Sequence, residues 1–349
     1  MPCAAIDLFC GIGGLTKGLS LSGVDVIAGI DIDESCRFAY EANNHAKFLC
    51  KDVSSVHGQD LEPIFPENTV HILVGCAPCQ PFSRYSSRYR KEGHTDSKWK
   101  LLYSFGRIIR ESLPDIVSME NVPNLLHEGI FMDFVGVLEE TGYFVDYSIV
   151  YCPDYGVPQH RKRLVLLASR LGSIDLVPPI YHPDNYLTVR DAIGYLPEIK
   201  AGETDERDCL HCSSALSELN MRRIRQSVQG GTWRDWDDDL KLKCHKKDSG
   251  KTFPSVYGRM EWDKPSPTIT TQFYGYGNGR FGHPEQDRAI SLREGAILQS
   301  FPDDYIFLDE EHPAKKRELG THIGNAVPVE LGRAIGESIQ LHVSCIGKG

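Results

Sequence analysis

The sequence predicts an α/β fold in which a parallel sheet fills the first half of the chain. Short β-branched runs alternate there with stretches of helical spacing, the pattern of strands joined by crossover helices. From about Pro178 this alternation fades, and prolines, glycines and crowded charges replace it. A regular helical pattern returns at Val329–His342. Because 349 residues suffice for about two domains, we predict a regular domain, a smaller irregular one, and a last segment that returns to the first.

Each element follows from a local pattern of apolar residues. The predicted strands are the short apolar runs Ala4–Phe9, Val24–Asp31, Lys47–Lys51, Val70–Cys76, Ile116–Glu120, Tyr143–Tyr151 and Leu164–Ser169. The helical spacing between them covers Gly14–Leu21, Ser35–Asn43, Trp99–Ser112 and Ile130–Thr141. In the irregular half, we predict a further strand at Pro265–Thr270 and a glycine-rich loop at Gly275–Gly282.

The composition excludes several classes of protein. A hydrophobic content of 41% and a charged content of 25% are typical of a globular chain, not of a disordered, collagen-like or coiled-coil one. The net charge of −10 argues against indiscriminate binding to nucleic acid or membranes, but leaves room for a local basic surface. No apolar run approaches the ~20 residues that span a bilayer, and the first residues lack the features of a signal peptide. The eleven cysteines form no disulfide framework, so we expect reduced thiols and a cytoplasmic protein.

A glycine-rich segment, Asp7–Gly14 (DLFCGIGG), follows the first predicted strand. Such a segment allows a tight turn that exposes helix N–H groups to a ligand, although it can also be a turn and nothing more. Asp31 and Asp52 end the next two strands, where acids accept hydrogen bonds from a nucleoside. Thr16 stands where a dinucleotide fingerprint needs its third glycine, which weakens an NAD assignment. An adenosine ligand without phosphates fits better and points to S-adenosylmethionine (AdoMet).

A candidate nucleophile, Cys79, follows the fourth predicted strand in the loop Gly75–Ser83. Open α/β sheets bind their ligands beyond the carboxyl ends of strands, and a thiolate is a strong nucleophile once its proton is removed. A buried structural cysteine is the alternative. Cys76 and Cys79 also have the spacing of a redox pair, but Pro81 argues against the helix that such a pair opens.

Further polar groups stand beside later strands. Glu120 follows four apolar residues, as expected of a capped turn or of a functional acid. The segment Pro158–Leu164 (PQHRKRL) leads into an apolar strand. If it is extended, Arg161 and Arg163 share one face.

Taken together, these motifs closely resemble those of the C5-cytosine DNA methyltransferases, in the compact form of bacterial modification enzymes. Six blocks in the family's order span residues 7 to 328: Asp7–Gly14, Pro78–Gln80, Glu120–Val122, Gln159 with Arg161 and Arg163, Arg293–Ala296 with Gln299–Pro302, and Gly320–Pro328. The resemblance implies a Rossmann-like AdoMet-dependent methyltransferase domain and a target-recognition domain. The implied domain bounds are 1–187 for the catalytic domain, 188–287 for target recognition, 288–317 for a hinge region and 318–349 for the returning segment.

The resemblance also implies a role for each matching residue. Cys79 would add to cytosine C6, Glu120 would hold N3 and the exocyclic amine, and Arg163, with Arg161 as support, would contact O2. The implied cofactor contacts are Phe9, Gly11, Gly13, Gly14, Asp31, Ile32, Asp52, Pro78, Leu101, Asn325 and Ala326. The family often has glutamate at the position of Asp31 and an aromatic residue at that of Ile32. The shorter acid should still reach the ribose, but the loss of a stacking ring is expected to weaken cofactor affinity.

The implied substrate is double-stranded DNA, from which the target base must be flipped out. The basic segment Arg84–Arg110 carries eight basic and two acidic residues, a local charge of +6. We interpret it as a lid that contacts phosphates, although a solvated basic loop is the alternative. The expected DNA contacts are Gln80, Ser83, Arg84, Arg88, Arg90 and Gln159. In the second domain, Cys209, His211, Cys212, Cys244 and His245 have a spacing too long for an ordinary zinc finger, so we predict no metal.

The predicted activity is therefore that of an AdoMet-dependent DNA (cytosine-5-)-methyltransferase acting on one cytosine in a short specific site. We expect it to act as a monomer and to protect host DNA, with a cognate restriction endonuclease acting independently. The same chemistry on transfer RNA is the closest alternative. A regulatory module that binds cofactor and DNA without turnover is a second, and an NAD oxidoreductase is a third that Thr16 disfavours.

Overall fold

The structure, a computed structural model, describes residues 2–78, 99–248 and 253–346. Within these ranges the predicted strands form one seven-stranded sheet of order β3-β2-β1-β4-β5-β7-β6. The strands are β1 Cys3–Leu8, β2 Asp25–Asp31, β3 Lys47–Cys50, β4 Val70–Gly75, β5 Ile116–Asn121, β6 Phe144–Tyr151 and β7 Lys162–Ser169. The predicted α/β class is confirmed.

The sheet has its topological switch point between β1 and β4. The strand β1 is parallel to β2 on one side and to β4 on the other, so the chain changes direction across the sheet there. Ligands bind at such points beyond the carboxyl ends of the strands. Because β2, β1, β4 and β5 run in parallel, residues that follow them share one edge of the sheet.

One strand departs from the predicted parallel sheet. The strand β7 lies between β5 and β6 and is antiparallel to both. Only ten residues separate the end of β6 from the start of β7, whereas a parallel return needs a crossover of a dozen residues or more. This reversal brings Arg163, the second residue of β7, close to the end of β5.

The helices that pack with the sheet follow the predicted positions closely. They are α1 Gly14–Leu21, α2 Arg37–Asn43, α3 Gly58–Leu61, α4 Trp99–Ser112, α5 Gly129–Glu140 and α10 Val329–Ile346. All side chains of β1 and β5 are buried, as expected of parallel strands covered on both faces. Helices α1 and α10 touch through glycines, since a Cβ on Gly18 would lie 2.3 Å from the carbonyl oxygen of Val329. None of the helices in the ranges given above is both long and apolar enough to cross a membrane.

The chain divides into two compact units, one comprising residues 1–155, 162–180 and 327–349, the other residues 156–161 and 181–326. The helices of the second unit are α6 Val189–Ile193, α7 Glu218–Gln226, α8 Leu292–Leu298 and α9 Lys316–Asn325. One of its apolar clusters contains Trp233, Trp236 and Leu240. Buried polar side chains also help to hold its backbone: the Arg259 guanidinium donates to the carbonyls of Ile224, Ser227 and His283.

The predicted strand at Pro265–Thr270 is wrong. The segment makes one isolated bridge, in which Ser266 N–H donates to Pro158 and the Ser266 carbonyl accepts from His160 N–H. Pro265 and Pro267 flank that residue and have no N–H to donate, so the opposite edge of this segment cannot form a ladder. Gly275–Gly282 contains a short 3₁₀ helix, Tyr276–Asn278, within an irregular stretch.

Candidate active site

The glycine-rich turn after β1 is held by the carboxylate that ends β2. Gly11 N–H donates to Asp31 Oδ2 at 2.9 Å, and Asp33 N–H donates to Asp31 Oδ1 at 2.9 Å. Phe9, Gly11 and Gly13 have positive φ angles of 60°, 50° and 84°, a conformation that glycine adopts without strain. Gly13 caps α1, which starts at Gly14. The predicted turn and its acid are thus built as one unit.

A buried polar cluster beneath this turn had no assigned role in the sequence. Asp7 is 1% exposed and accepts a hydrogen bond from Thr16 Oγ1 at 2.7 Å. The Tyr40 hydroxyl lies 3.1 Å from the same Thr16 oxygen. Thr16, which in the sequence argued only against NAD, therefore joins the start of α1 to β1 and α2. The signal was available in part, because Asp7 is the polar residue of an otherwise apolar strand.

We expect Asp7 to make the protein less stable as the pH rises. Burial raises the pKa of Asp7 from 3.8 to about 7; the Thr16 hydrogen bond opposes the rise, and the Asp31 carboxylate adds to it. The folded state therefore holds the Asp7 proton more tightly than the unfolded chain does. The stability that this proton contributes is fully present below pH 3.8 and is lost progressively as the pH rises from 3.8 to about 7. A tenfold tighter hold on the proton corresponds to about 1.4 kcal/mol of stability. Urea unfolding from pH 4 to 8 should therefore show a loss of stability that Asp7→Asn removes.

The matched control for that measurement is Asp25→Asn, which changes an exposed aspartate of β2 in the same sheet. Its unfolding free energy should follow the wild-type pH profile. A profile of Asp7→Asn parallel to that of the wild type between pH 4 and 7 would contradict the raised pKa.

Other predicted cofactor residues lie at or after strand ends of the same unit. Ile32 is 67% exposed immediately after β2, a large apolar side chain that a flat ring could cover. Asp52 follows β3 and accepts from Ser54 N–H at 2.8 Å. Leu101 belongs to the first turn of α4, and Pro78 follows β4 and is exposed.

A buried ion pair lies where β5 and β7 meet. Glu120 is 2% exposed, and its Oε1 lies 2.6 Å from Nε of Arg163, whose side chain is 13% exposed. Cys76 Sγ donates to the other carboxylate oxygen, Oε2, at 2.7 Å. The antiparallel register, which aligns Glu120 with Val165, brings Arg163 into reach. A charged pair this deep is costly to remove from water, which makes it a strong candidate for function.

The comparison with known proteins decides the family. A family model described as C-5 cytosine-specific DNA methylase matches residues 3–341. The chain belongs to this family. It is accordingly a DNA cytosine-5-methyltransferase, as the motifs had predicted.

Individual relatives cover the methyltransferase almost completely. It is 55% identical over 343 residues to the type II methylase M.HgiDII of Herpetosiphon aurantiacus, and the matched region covers 97% of this chain and 96% of that protein. It is 30% identical over 348 residues to the type II methyltransferase M1.HphI of Haemophilus parahaemolyticus, with 97% and 87% covered. Among solved structures, one of a DNA modification methyltransferase encoded within an E. coli prophage matches with a TM-score of 0.75 at 21% identity, over 98% of this chain and 99% of that one.

The loop with the predicted nucleophile begins at an anchored position. The buried Asn121 side chain donates from Nδ2 to the Ala77 carbonyl at 3.1 Å. It thereby ties the end of β5 to the residue just before Pro78. The site residues predicted in the loop itself are Cys79, Gln80, Ser83, Arg84, Arg88 and Arg90, which lie outside the described residues and remain predictions.

In the second unit, a hydrogen-bonded network surrounds Gln159 and Arg161, both buried. Arg161 donates to Gln159 Oε1 at 3.2 Å and to the Ile269 carbonyl at 3.0 Å. Gln159 Nε2 donates to Gln299 Oε1 at 2.9 Å, and Gln299 Nε2 donates to the Ile323 carbonyl at 2.8 Å. One network thus joins the Gln-x-Arg motif to the last two family blocks. The roles predicted for Gln159 in DNA contact and for Arg161 in support of the base site remain predictions.

The remaining predicted cofactor residues of the methyltransferase end α9 in this second unit. Asn325 is its last residue, and Ala326 N–H donates to the His322 carbonyl at 3.0 Å.

The two histidines of the cysteine–histidine pattern have different neighbours. His211 has one ring nitrogen 2.9 Å from Ser291 Oγ and the other 2.9 Å from the Pro197 carbonyl, whereas His245 stacks on Trp233.

Proposed function

We propose that this methyltransferase transfers a methyl group from AdoMet to C5 of one cytosine within a short, specific sequence of duplex DNA. The observation that carries the proposal is the buried Glu120–Arg163 pair, in which Glu120 contacts Cys76, the residue that directly follows β4 and precedes Cys79 by three positions in the sequence. Cytosine presents an acceptor at N3, a donor at its exocyclic amine and an acceptor at O2. A carboxyl group complements the first two, and a guanidinium complements the third. One pair of side chains therefore matches the whole polar edge of the base.

The chemical problem is that cytosine C5 is a poor nucleophile. In the proposed mechanism the Cys79 thiolate forms a bond to C6, and the electron pair of the C5–C6 double bond moves into the ring towards N3. Glu120, which must take up a proton from water before the base enters, passes that proton to N3, and Arg163 stabilises the charge at O2. AdoMet, when bound, supplies the electrophilic methyl group that C5 then receives. A base takes the C5 proton, the Cys79 sulfur leaves C6 as a thiolate, and N3 returns its proton to Glu120, which restores the aromatic ring and the enzyme.

The residues around the glycine-rich turn fit an adenosine-type cofactor. Asp31 keeps a carboxylate at the end of β2, where ribose hydroxyls could donate to it, and Ile32 offers an exposed apolar face for adenine. Gly11 leaves open space among the described residues, since none of their atoms lies within 4 Å of a Cβ built there. We assign these residues and Asp52 to AdoMet, with Phe9, Gly13, Gly14, Pro78, Leu101, Asn325 and Ala326 as further contacts. The shorter acid should still reach the ribose, whereas the missing aromatic ring should weaken affinity for the cofactor relative to the family pattern.

Chemistry on a paired base requires that the base leave the duplex. We assign this step to the basic segment Arg84–Arg110, together with Gln80 and Ser83. Two of its cations already have partners: Arg107 pairs with Glu111 at 3.0 Å, and Arg110 with Glu140 at 2.9 Å. Phosphate contacts are therefore expected from the residues nearer to Cys79, among them Arg84, Arg88 and Arg90.

The biological role proposed for this activity is host protection. Both relatives reported above carry type II names, which supports a modification enzyme that acts alongside a restriction endonuclease. Methylation of one base at a time needs one active site, so we propose that the enzyme acts as a monomer and independently of that endonuclease.

The covalent step can be trapped directly. We expect an adduct when the protein is incubated with AdoMet and duplex DNA that carries 5-fluorocytosine in random sequence, because fluorine cannot leave C5 as a proton does. Denaturing electrophoresis and peptide mapping should place the adduct on Cys79, and sequencing of the trapped DNA should give the target site. Cys79→Ala should abolish the adduct, whereas Cys209→Ala, which changes an exposed thiol, should not.

Each other outcome counts against a stated part of the proposal. An adduct with fluoropyrimidine-substituted transfer RNA, but not with DNA, would move the substrate to RNA. An adduct with neither nucleic acid would overturn addition at C6 and favour a module that binds without turnover.

A further inference from the structure

A second thiol touches the proposed catalytic acid. Cys76 Sγ lies 2.7 Å from Glu120 Oε2, on the opposite carboxylate oxygen from the one that Arg163 approaches. The proposed reaction gives this thiol no role, and the motif that contains Cys79 begins two residues after it. Cys76 is only partly buried, whereas Glu120 is 2% exposed.

The sheet itself produces this contact. In the parallel register of β4 and β5, Gly75 is aligned with Met119. Cys76 and Glu120 are the next residues of their chains, and Cys76 N–H still donates to the Leu8 carbonyl at 3.4 Å. The first residue after β4 is therefore fixed beside the carboxyl group by the strands on either side of it.

The two contacts on Glu120 act on its orientation in opposite ways. A guanidinium binds both oxygens of a carboxylate most strongly when the two groups face each other. With Arg163 as its sole partner, the Glu120 carboxylate would be drawn towards that bidentate arrangement. The Cys76 S–H donates to Oε2 and opposes that rotation. One oxygen is thereby kept directed towards a donor, as it must be when the cytosine amine arrives.

We propose that Cys76 is a positioning residue for Glu120, whose thiol holds Oε2 in the orientation that recognition of the cytosine N3 edge requires. The proposal rests on the function given above. Cys76 contacts neither cytosine nor cofactor in this role; it acts through Glu120. A group that sets the geometry of a catalytic acid affects turnover more than substrate affinity.

The test compares Cys76→Ser, Cys76→Ala and the control Cys345→Ser, which changes an exposed thiol at the end of α10. The serine hydroxyl can still donate to Glu120, so we expect Cys76→Ser to keep most of the wild-type kcat. Cys76→Ala should lower kcat about 10- to 100-fold, leave KM for DNA and AdoMet unchanged, and alter the pH dependence of kcat. Cys345→Ser should match the wild type. A Cys76→Ala enzyme with the kcat of the wild type would overturn the proposal. It would also be overturned if Cys76→Ser lost as much kcat and as much thermal stability as Cys76→Ala.

A spectroscopic measurement on the free protein gives a readout apart from activity. The infrared S–H stretching band that disappears in Cys76→Ser belongs to Cys76, and a hydrogen bond to a carboxylate lowers its frequency. We expect Glu120→Ala to raise that frequency and Cys345→Ser to leave it unchanged. An unmoved band in Glu120→Ala would overturn the proposal. Failure of the proposed function is recognised separately, because the wild-type protein would then form no adduct with 5-fluorocytosine DNA.

Discussion

Glu120→Gln should lower kcat by about 10²- to 10⁴-fold, the range that a positioned acid or base contributes to a reaction. The glutamine amide has nearly the shape of the carboxyl group and can still contact Arg163, but it cannot supply a proton to cytosine N3. Because the loss arises after the base has bound, KM for DNA should change far less than kcat. Single-turnover methylation of a saturating duplex substrate measures this directly.

A matched substitution separates chemistry from the loss of a charge. Glu140 also forms an ion pair, with Arg110 at 2.9 Å, but its side chain is 71% exposed. Glu140→Gln should leave kcat unchanged and alter stability by less than about 1 kcal/mol, as usual for exposed pairs. A Glu120→Gln enzyme with kcat within tenfold of the Glu140→Gln value would rule out proton donation by Glu120.

Glu120 also shows which aspects of the site a sequence can predict. Its position after an apolar run, and its place in an ordered set of motifs, were sufficient to single it out. The same is true of the glycine-rich turn and of Asp31, because residues that follow the carboxyl ends of neighbouring parallel strands lie at the same edge of the sheet. The strands were also predictable, because parallel strands that are buried on both faces have continuous apolar sequences.

Contacts that depend on strand order were not predictable. The pairing of Arg163 with Glu120 requires β7 to insert between β5 and β6 in the antiparallel direction, and no local pattern contains that information. An extended segment would place Arg161 on the same face as Arg163, yet Arg161 is buried among carbonyl groups in the second unit. The bond between Cys76 and Glu120 joins residues 44 positions apart, and it too follows from the register of two strands.

The irregular second unit was the least predictable part, for a different physical reason. Buried polar side chains help to hold its backbone, in addition to apolar packing. Arg288, which is fully buried, donates to both carboxylate oxygens of Glu294 at 2.7 Å, and Glu294 also accepts from Ser291 N–H. From the sequence alone, arginine and glutamate are expected to be exposed, because these residue types are seldom fully buried. Only the folded chain shows which of them are enclosed.

Gly18→Ala should be among the most destabilising single-methyl substitutions in the first unit. An added Cβ would lie 2.3 Å from the Val329 carbonyl oxygen and 2.5 Å from Arg333 N. Both are backbone atoms of α10, so they cannot move aside as the end of a flexible side chain would. Relief requires that α1 and α10 separate, which opens the packing that joins the last helix to the sheet domain. Overpacking costs about 1–3 kcal/mol or more, so Tm should fall by about 1–4 °C or more in a chain of this size.

The control for this substitution makes the same chemical change in another helix. Gly136 lies inside α5, and within the part of the chain that the structure describes no atom outside its own helix turn lies within 4 Å of a Cβ built there. Alanine there should stabilise the protein by about 0.5–1 kcal/mol, because it reduces the freedom of the unfolded chain. The two variants should therefore shift Tm in opposite directions in the same calorimetric experiment. A Gly18→Ala protein as stable as the wild type would mean that α1 and α10 do not meet at glycine distance. Opposite shifts would show that this glycine is required by the closeness of the two backbones and not by helix propensity, which is the same at both sites.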